Sequence, residues 1–289
     1  MAEVSRSNDA AAFRRLYPDQ HYDQFLENGV RPDGRVLGLS REVTVGLDAV
    51  SSADSSALVK LGSTIVMAGV KLEVMKPSDE EPEAGSLVLG VEVTPMSAPD
   101  VRPGRTPEAA HSVAEQLHAV LATGGALDAT ELCIRKSSAA WVLYCDVYVL
   151  NSDGCLLDAC LIAAVAALSA LKLPEVPLTK DGQIIIPGSG GEVGSVVETR
   201  RLRLKRVPLS LTCGLRGGQL ISDPTAEEEQ LMESLITVAL DEQGELAGVY
   251  KPGGEPVTDA LMQECIQLGR VRYKTVSALL EQALQQRDE

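Results

Sequence analysis

The sequence predicts an α+β fold made of two similar β/α halves, and three observations carry that expectation. Short stretches with alternating apolar residues come in groups, a few long helical patterns interrupt them, and a Gly-rich stretch separates two runs of the same design. The 289 residues are 45% apolar but only 3% aromatic, so the expected cores are aliphatic, filled by Leu, Val, Ile and Ala. The expected organisation is an N-terminal segment over residues 1–30, a first half over 31–179, a connection over 180–198 and a second half over 199–289 with a closing helix.

In the N-terminal segment, Tyr17, Tyr22, Phe25 and Leu26 are spaced to share one helical face, with Asn28–Gly29 as the stop. Arg31–Pro32–Asp33–Gly34–Arg35 is a turn by its chemistry, with Pro at the second position and Gly at the fourth. Strands follow. Arg41–Leu47 alternates through Val43, Val45 and Leu47, and Ala57–Leu61 and Thr64–Val74 flank a Gly62–Ser63 turn. Lys76–Gly85 is an acidic loop, Leu87–Val93 a strand, and Thr94–Pro107, with four prolines, an exposed loop carrying Arg102 and Arg105. Ala110, Val113, Leu117, Val120 and Leu121 recur at helical spacing within Glu108–Thr123.

The stretch Trp141–Leu171 reads as a buried strand, a tight turn at Asn151–Ser152–Asp153–Gly154, then an apolar helix over Asp158–Leu171. A turn feeding a helix N-terminus presents unpaired N–H groups and a positive dipole end, which together favour an anion. Here the positions that would greet the anion are Cys155, Leu156, Leu157 and Asp158, none of which suits a phosphate. The connection that follows holds five glycines in Lys180–Glu198. The second half begins with Thr199–Val207, read as a strand with Leu202 and Leu204 on one face and a basic row of Arg201, Arg203 and Lys205 on the other. Leu209–Leu215 with Gly218–Ser222, and Ser234–Leu240 with Glu245–Tyr250, read as hairpins. Thr258–Gln285 is the closing helix.

The formal net charge is −15, which argues against a general nucleic-acid coat while leaving room for a local basic strip. The six cysteines form no C-x-x-C pair and the three histidines lie far from them, so no metal or other cofactor is expected. No apolar signal core or membrane-length apolar run occurs, and the expectation is a soluble intracellular protein. Asp223–Glu229, DPTAEEE, reads either as a cation or acid–base site or as the acidic first turn of a helix. The basic row reads either as a phosphate track or as a solvated strand face. Gly188–Gly191 reads as a flexible loop, since no helix follows it, and His111 and His118 read as structural.

Several motifs fall in one order: RPDGR, ADSSALVKLGSTIVMAGVK, WVLYCDVYVLNSDGCLLDACLIAAVAAL, DPTAEEE and VYKPGG. In these the chain resembles the RNase PH-domain ring subunits of the eukaryotic RNA exosome, from about Arg31 to the closing helix. The resemblance implies the RNase PH-like fold (ribosomal protein S5 domain 2-like) and a ring of such subunits around a pore that receives single-stranded RNA. It implies as partners other RNase PH-like ring subunits, S1/KH cap subunits and that RNA, in rRNA processing and mRNA decay in the nucleus, nucleolus and cytoplasm. Active members use inorganic phosphate to attack the terminal phosphodiester.

The active pattern is broken in this chain. Cys155, Leu156 and Leu157 stand where active relatives carry a Gly-Thr-Arg or Gly-Ser-Arg phosphate loop, and Leu235 stands where they carry an Asp. Losing the arginine and the hydroxyl removes a bidentate anion contact. The expectation is a non-catalytic subunit with no catalytic residues of its own, an active phosphate-dependent 3′-to-5′ exoribonuclease being the alternative. Arg102 and Arg105 fall on the loop that faces the pore in the family, which makes them the expected RNA contacts.

Overall fold

The computed structural model describes residues 12–97, 108–175 and 199–288. The arginine loop with Arg102 and Arg105, the Gly188–Gly191 loop and the whole 180–198 connection lie outside the described residues.

The first half is built on a sheet in the order β1 (Val43–Leu47), β2 (Ser55–Leu61), β3 (Thr64–Met75), β6 (Ala139–Asn151), β4 (Ser86–Val93), with β5 (Cys133–Arg135) also paired to β6. All pairs are antiparallel except β4 with β6. That parallel pair needs a crossover, and α2 (Glu108–His118), extended by a π-helical turn over Ala119–Thr123, supplies it. The register puts β-branched and small residues in line across the sheet: Val59 opposes Val66, Val66 opposes Val149, and Val149 opposes Val93. These side chains point to one face because successive residues of a strand alternate. That face is covered by α3 (Leu156–Ala170), which packs on β2 and β3. A helix with apolar residues all round must be enclosed on every side, and 13 of the 15 residues of α3, Asp158 among them, are buried.

The second half is a four-stranded antiparallel sheet in the order β10 (Gln219–Ser222), β9 (Leu209–Arg216), β11 (Ser234–Leu240), β12 (Leu246–Tyr250). Two helices join it to the first half. α3 touches β9 as well as β2 and β3, and the closing helix α5 (Asp259–Asp288) touches β1, β9 and β11. The main core is therefore shared: Leu209 and Ala239 of the second half lie in one cluster with Val59, Val66 and Leu161 of the first. A smaller cluster of Leu211, Cys213, Ile236, Val238 and Cys265 seats α5 on the second sheet.

Two expectations change. Thr199–Val207 is not one strand. Only β8 (Thr199–Arg201) pairs, with β7 (Lys172–Pro174), after which the backbone bonds irregularly to Leu171, Ala126 and Leu127. The alternation survives: Leu202 is buried, Leu204 is half-buried, and Arg201, Arg203 and Lys205 are exposed. The cations on either side of that row are in ion pairs, Arg200 with Glu131 at 2.6 Å and Arg206 with Asp241 at 3.7 Å. In the N-terminal helix α1 (Pro18–Glu27), Tyr22 and Leu26 face inward, whereas Tyr17 is exposed and Phe25 is only half-buried. Gly29 takes φ +68° just beyond it, the left-handed stop its position suggested.

Candidate functional site

The candidate site is where the turn after β6 meets the segment leading into α4 (Ala226–Glu229). The turn is pinned from both sides. The N–H of Asp153 donates to Thr64 Oγ1 at 3.0 Å, Thr64 Oγ1 donates to the Gly154 carbonyl at 3.0 Å, and an Arg41 guanidinium nitrogen donates to the Asp153 carbonyl at 2.6 Å. Gly154 takes φ +78°, and a Cβ there would lie 2.7 Å from the Pro224 carbonyl oxygen, so only glycine lets the two segments approach. Cys155 follows in the left-handed region, φ 51°, as the N-cap of α3 with no side-chain cap.

The helix terminus is already occupied by an anion of the chain itself. Glu229 Oε1 accepts a hydrogen bond from the Cys155 N–H at 2.7 Å. Burial raises the Glu229 carboxyl above its ordinary range, and the charges of Asp158 and Asp223 act in the same direction. Cys155 Sγ donates to the Pro224 carbonyl at 3.3 Å. Burial, followed by the charges of Asp223, Asp158 and Glu229, pushes its thiol well above normal, so it stays protonated. Leu157 is buried and Leu156 half-buried. No arginine, serine or threonine side chain from positions 155–157 is present to hold a phosphate.

Asp158, one residue further along, is buried and works across the halves. It accepts hydrogen bonds from Ser210 Oγ at 2.5 Å and from the Thr212 N–H at 2.7 Å, both on β9. Burial raises it to about 6 despite those bonds. Leu235 shares a face of β11 with Thr237 and Ala239. On that face Thr237 meets Thr212 hydroxyl to hydroxyl at 2.8 Å. Leu235 adds no carboxylate to this face.

The other carboxylates of DPTAEEE are engaged as well. Thr225 and Glu228 form a capping box at the start of α4. Glu228 also takes a bidentate contact from Arg31, through Nε at 2.9 Å and through Nη2, and a hydrogen bond from the Tyr22 hydroxyl at 2.9 Å. Arg31 is fully buried, and its remaining donors reach the Ser222 carbonyl at 2.7 Å and the Asp223 carbonyl at 3.1 Å. Asp223 is clasped by Arg41 through the backbone N–H at 2.7 Å, Nε at 3.0 Å and Nη2 at 2.6 Å. Burial alone would raise Asp223 and Glu228, but hydrogen bonds and charge from Arg41 and Arg31 outweigh it and hold both below the usual carboxylate range. Gly62 at φ +57° leaves space for the Arg41 stem, whose Cδ lies 2.4 Å from where a Cβ would sit.

Of the two sequence readings of this cluster, the structure carries the helix-start one. Sequence reasoning missed the partners Arg31 and Arg41 and the seating of Glu229 on α3. His111 and His118 are exposed, and His111 faces Glu115 at 3.4 Å.

Residues 40–174 match the 3′ exoribonuclease family, domain 1, and residues 206–272 match domain 2 of the same family. The chain belongs to the 3′ exoribonuclease family of RNase PH domains. Within that family it is 30% identical over 261 residues to the exosome complex component rrp43 of Schizosaccharomyces pombe, covering 90% of this chain and 94% of the relative. It is 32% identical over 264 residues to the exosome complex component Rrp42 of Thermococcus onnurineus, covering 90% and 94%. Among solved structures it resembles a chain of the Archaeoglobus fulgidus exosome with RNA bound to the active site, with a TM-score of 0.76 and 27% identity, covering 89% of this chain and 97% of that one. The family's two domains match one sheet-bearing half each, and the turn, α3 and β9 contacts described above lie where the halves meet.

Proposed function

We propose that this chain is a ring subunit of an RNA exosome that carries no phosphorolytic activity of its own. It supports 3′-to-5′ RNA processing and decay, including rRNA processing and mRNA decay, by completing the ring and helping to line its RNA channel. Its neighbours are other RNase PH-like subunits and S1/KH cap subunits, and it works in the nucleus, nucleolus and cytoplasm. The similarity to named exosome components over nine-tenths of the chain supports the ring role.

The observation that carries the non-catalytic reading is the Glu229 carboxylate on the Cys155 N–H. A phosphate bound there would have to displace the Glu229 side chain and would then meet Asp158, three residues along the same helix start, and the segment of Asp223, whose neighbour Pro224 accepts from the Cys155 thiol at 3.3 Å. Like charges in a desolvated site repel strongly. The cation nearest Asp223, Arg41, already spends Nε and Nη2 on it. Phosphorolysis needs stabilised charge on the transferring phosphoryl group, and this arrangement supplies the opposite sign.

The test is to incubate the purified full chain with end-labelled single-stranded RNA and inorganic phosphate and to follow nucleoside diphosphates. The expected result is none above background, and phosphate-dependent release would overturn the reading in favour of an active exoribonuclease. Affinity purification of the tagged chain under mild conditions is expected to recover RNase PH-like and S1/KH subunits. Imaging of the same tagged chain is expected to place it in nucleus, nucleolus and cytoplasm.

A further inference from the structure

A cleft of about 430 Å³ runs between residues 38–43 and the helix α5. Leu39, Val43, Leu268, Val271 and Leu279 give it an apolar lining, and Arg272 lies among them. Arg272 is half-buried, yet it makes no hydrogen bond or ion pair with any described residue. It differs in this from the other buried or half-buried arginines of the described residues. Arg31, Arg35, Arg41, Arg206, Arg216 and Arg287 each lie within ion-pair distance of a carboxylate. Burial lowers the Arg272 guanidinium from its ordinary value, and the positive charge of Arg41 adds to this. The charges of Asp223 and Asp158 outrank that of Arg41 but only partly compensate for the burial. A desolvated cation without a partner is costly, and proteins retain one mainly where something else completes it.

The surroundings indicate what completes it. Leu39 on one side of the cleft and Val271 on the other are 53% and 68% exposed, so the apolar lining reaches the opening. Nucleic acid is disfavoured: the cleft offers one unpaired cation, Glu42 stands in its lining, and the chain carries a net charge of −15. Binding a phosphate backbone takes several cations in a row. A single carboxylate framed by apolar groups fits a protein segment, with the Arg fork supplying orientation and the aliphatic walls supplying buried area. No residue of the 153–157 turn or of the 223–229 segment lines the cleft, although Arg41, which clasps Asp223, stands in its wall.

We infer that the cleft docks a segment of a partner protein that carries an Asp or Glu flanked by apolar side chains, with Arg272 gripping the carboxylate. The inference rests on the ring reading only for the setting of its test. A photo-reactive benzoylphenylalanine at Val271 of the full chain, in the purified complex, is cross-linked by light and the joined peptide is identified by mass spectrometry. The expected product is a partner peptide with an acidic residue among apolar ones. Arg272→Met is expected to lower the cross-link yield about tenfold, the loss of a charge-assisted hydrogen bond. It is also expected to leave the free chain's melting temperature unchanged or raised by a few degrees, because an unpaired desolvated charge has gone. Arg272→Glu is expected to abolish the cross-link, and replacing the partner's acid by Arg to restore it.

The inference is overturned by no cross-link, by a cross-link to RNA or to this chain itself, or by a partner peptide without an acid. It is equally overturned by an Arg272→Met chain that melts lower, which would make Arg272 a structural residue. Failure to recover any ring subunits would instead sink the ring reading, so the two failures are distinguishable.

Discussion

Arg31 and Arg272 are the same side chain in opposite settings. Arg31 is sealed inside the second half's edge and every direction it points offers an oxygen: the Glu228 carboxylate and the carbonyls of Ser222 and Asp223. Arg272 lies in an open cleft and meets no described acceptor. The same contrast runs through the carboxylates. Asp223 and Glu228 are matched by arginines, while Glu229 and Asp158 are held by N–H and hydroxyl donors alone and stay raised above their ordinary values. Charges that hold the fold together are paired inside it. Those that are not paired inside it lie where the turn after β6 meets the start of α4, or at a surface, where the ordinary demand for internal balance is relaxed.

The contrast can be broken most severely at Arg31. Arg31→Ala leaves Glu228 buried with only the Tyr22 hydroxyl and the Thr225 N–H as hydrogen-bond donors, and is expected to cost about 3–5 kcal/mol, read as a lower urea midpoint with unchanged slope. A loss below about 1 kcal/mol would show that the ion pair is not a fold-holding one.

Asp158 comes next. Asp158→Ala strips the acceptor from Ser210 and from the Thr212 N–H and is expected to cost roughly 2–3 kcal/mol. Its titration gives a sharper test. Asp158 is raised to about 6, so the folded state binds its proton more tightly than the unfolded state. Its contribution to stability is therefore greatest in acid and falls as the pH rises from the ordinary carboxylate value toward 6. Asp223 and Glu228, being lowered, act the other way: their contribution is full above the unfolded carboxylate value and is lost as pH falls through the folded one. Relative to the parent, Asp158→Asn should gain stability steadily between about pH 4 and 6, and a difference that stays flat across that window would reject the assignment.

Glu229→Gln should move stability by less than about 1 kcal/mol, since the amide oxygen still accepts from Cys155 while the buried charge is gone. A larger loss would mean that the carboxylate's charge on the helix terminus matters more than its hydrogen bond. The smallest expected effect on the fold is at the arginine loop. Arg102→Glu with Arg105→Glu should leave melting unchanged while weakening RNA protection by the reassembled ring, and unchanged protection would remove both residues from the RNA path.

Local features were legible in the sequence because they are encoded locally. The Gly62 and Gly154 turns, the buried strand into α3 and the Asn28–Gly29 stop each follow from neighbours in the chain. That the start of α3 offers a thiol and two apolar side chains, Cys155 to Leu157, was legible too, since it is written in three consecutive residues. What was not legible is pairing at a distance. Nothing near Arg31 announces Glu228, 197 residues away, because a carboxylate run at the start of a helix looks the same whether it faces water or arginines. Thr199–Val207 fails for a related reason. Alternation reports which side chains face inward, but not whether a neighbouring strand is there to pair; beyond Arg201 the backbone bonds to the Ala126–Leu127 turn instead of a ladder.

The closing helix has a bearing on the order in which this molecule can be built. α5 covers β1, and near its far end Arg287 reaches Asp48 at 2.6 Å and also donates to the carbonyl of Ala170 at the end of α3. During synthesis, the strand that leads the first sheet therefore waits for a cover that emerges some 210 residues later, at a loop-closure entropy that grows only slowly with such a separation. Until then its apolar side is open to whatever is nearby. A newly made chain is thus most exposed to mispairing just before α5 leaves the ribosome, which is when chaperones or a waiting neighbour have most to offer it.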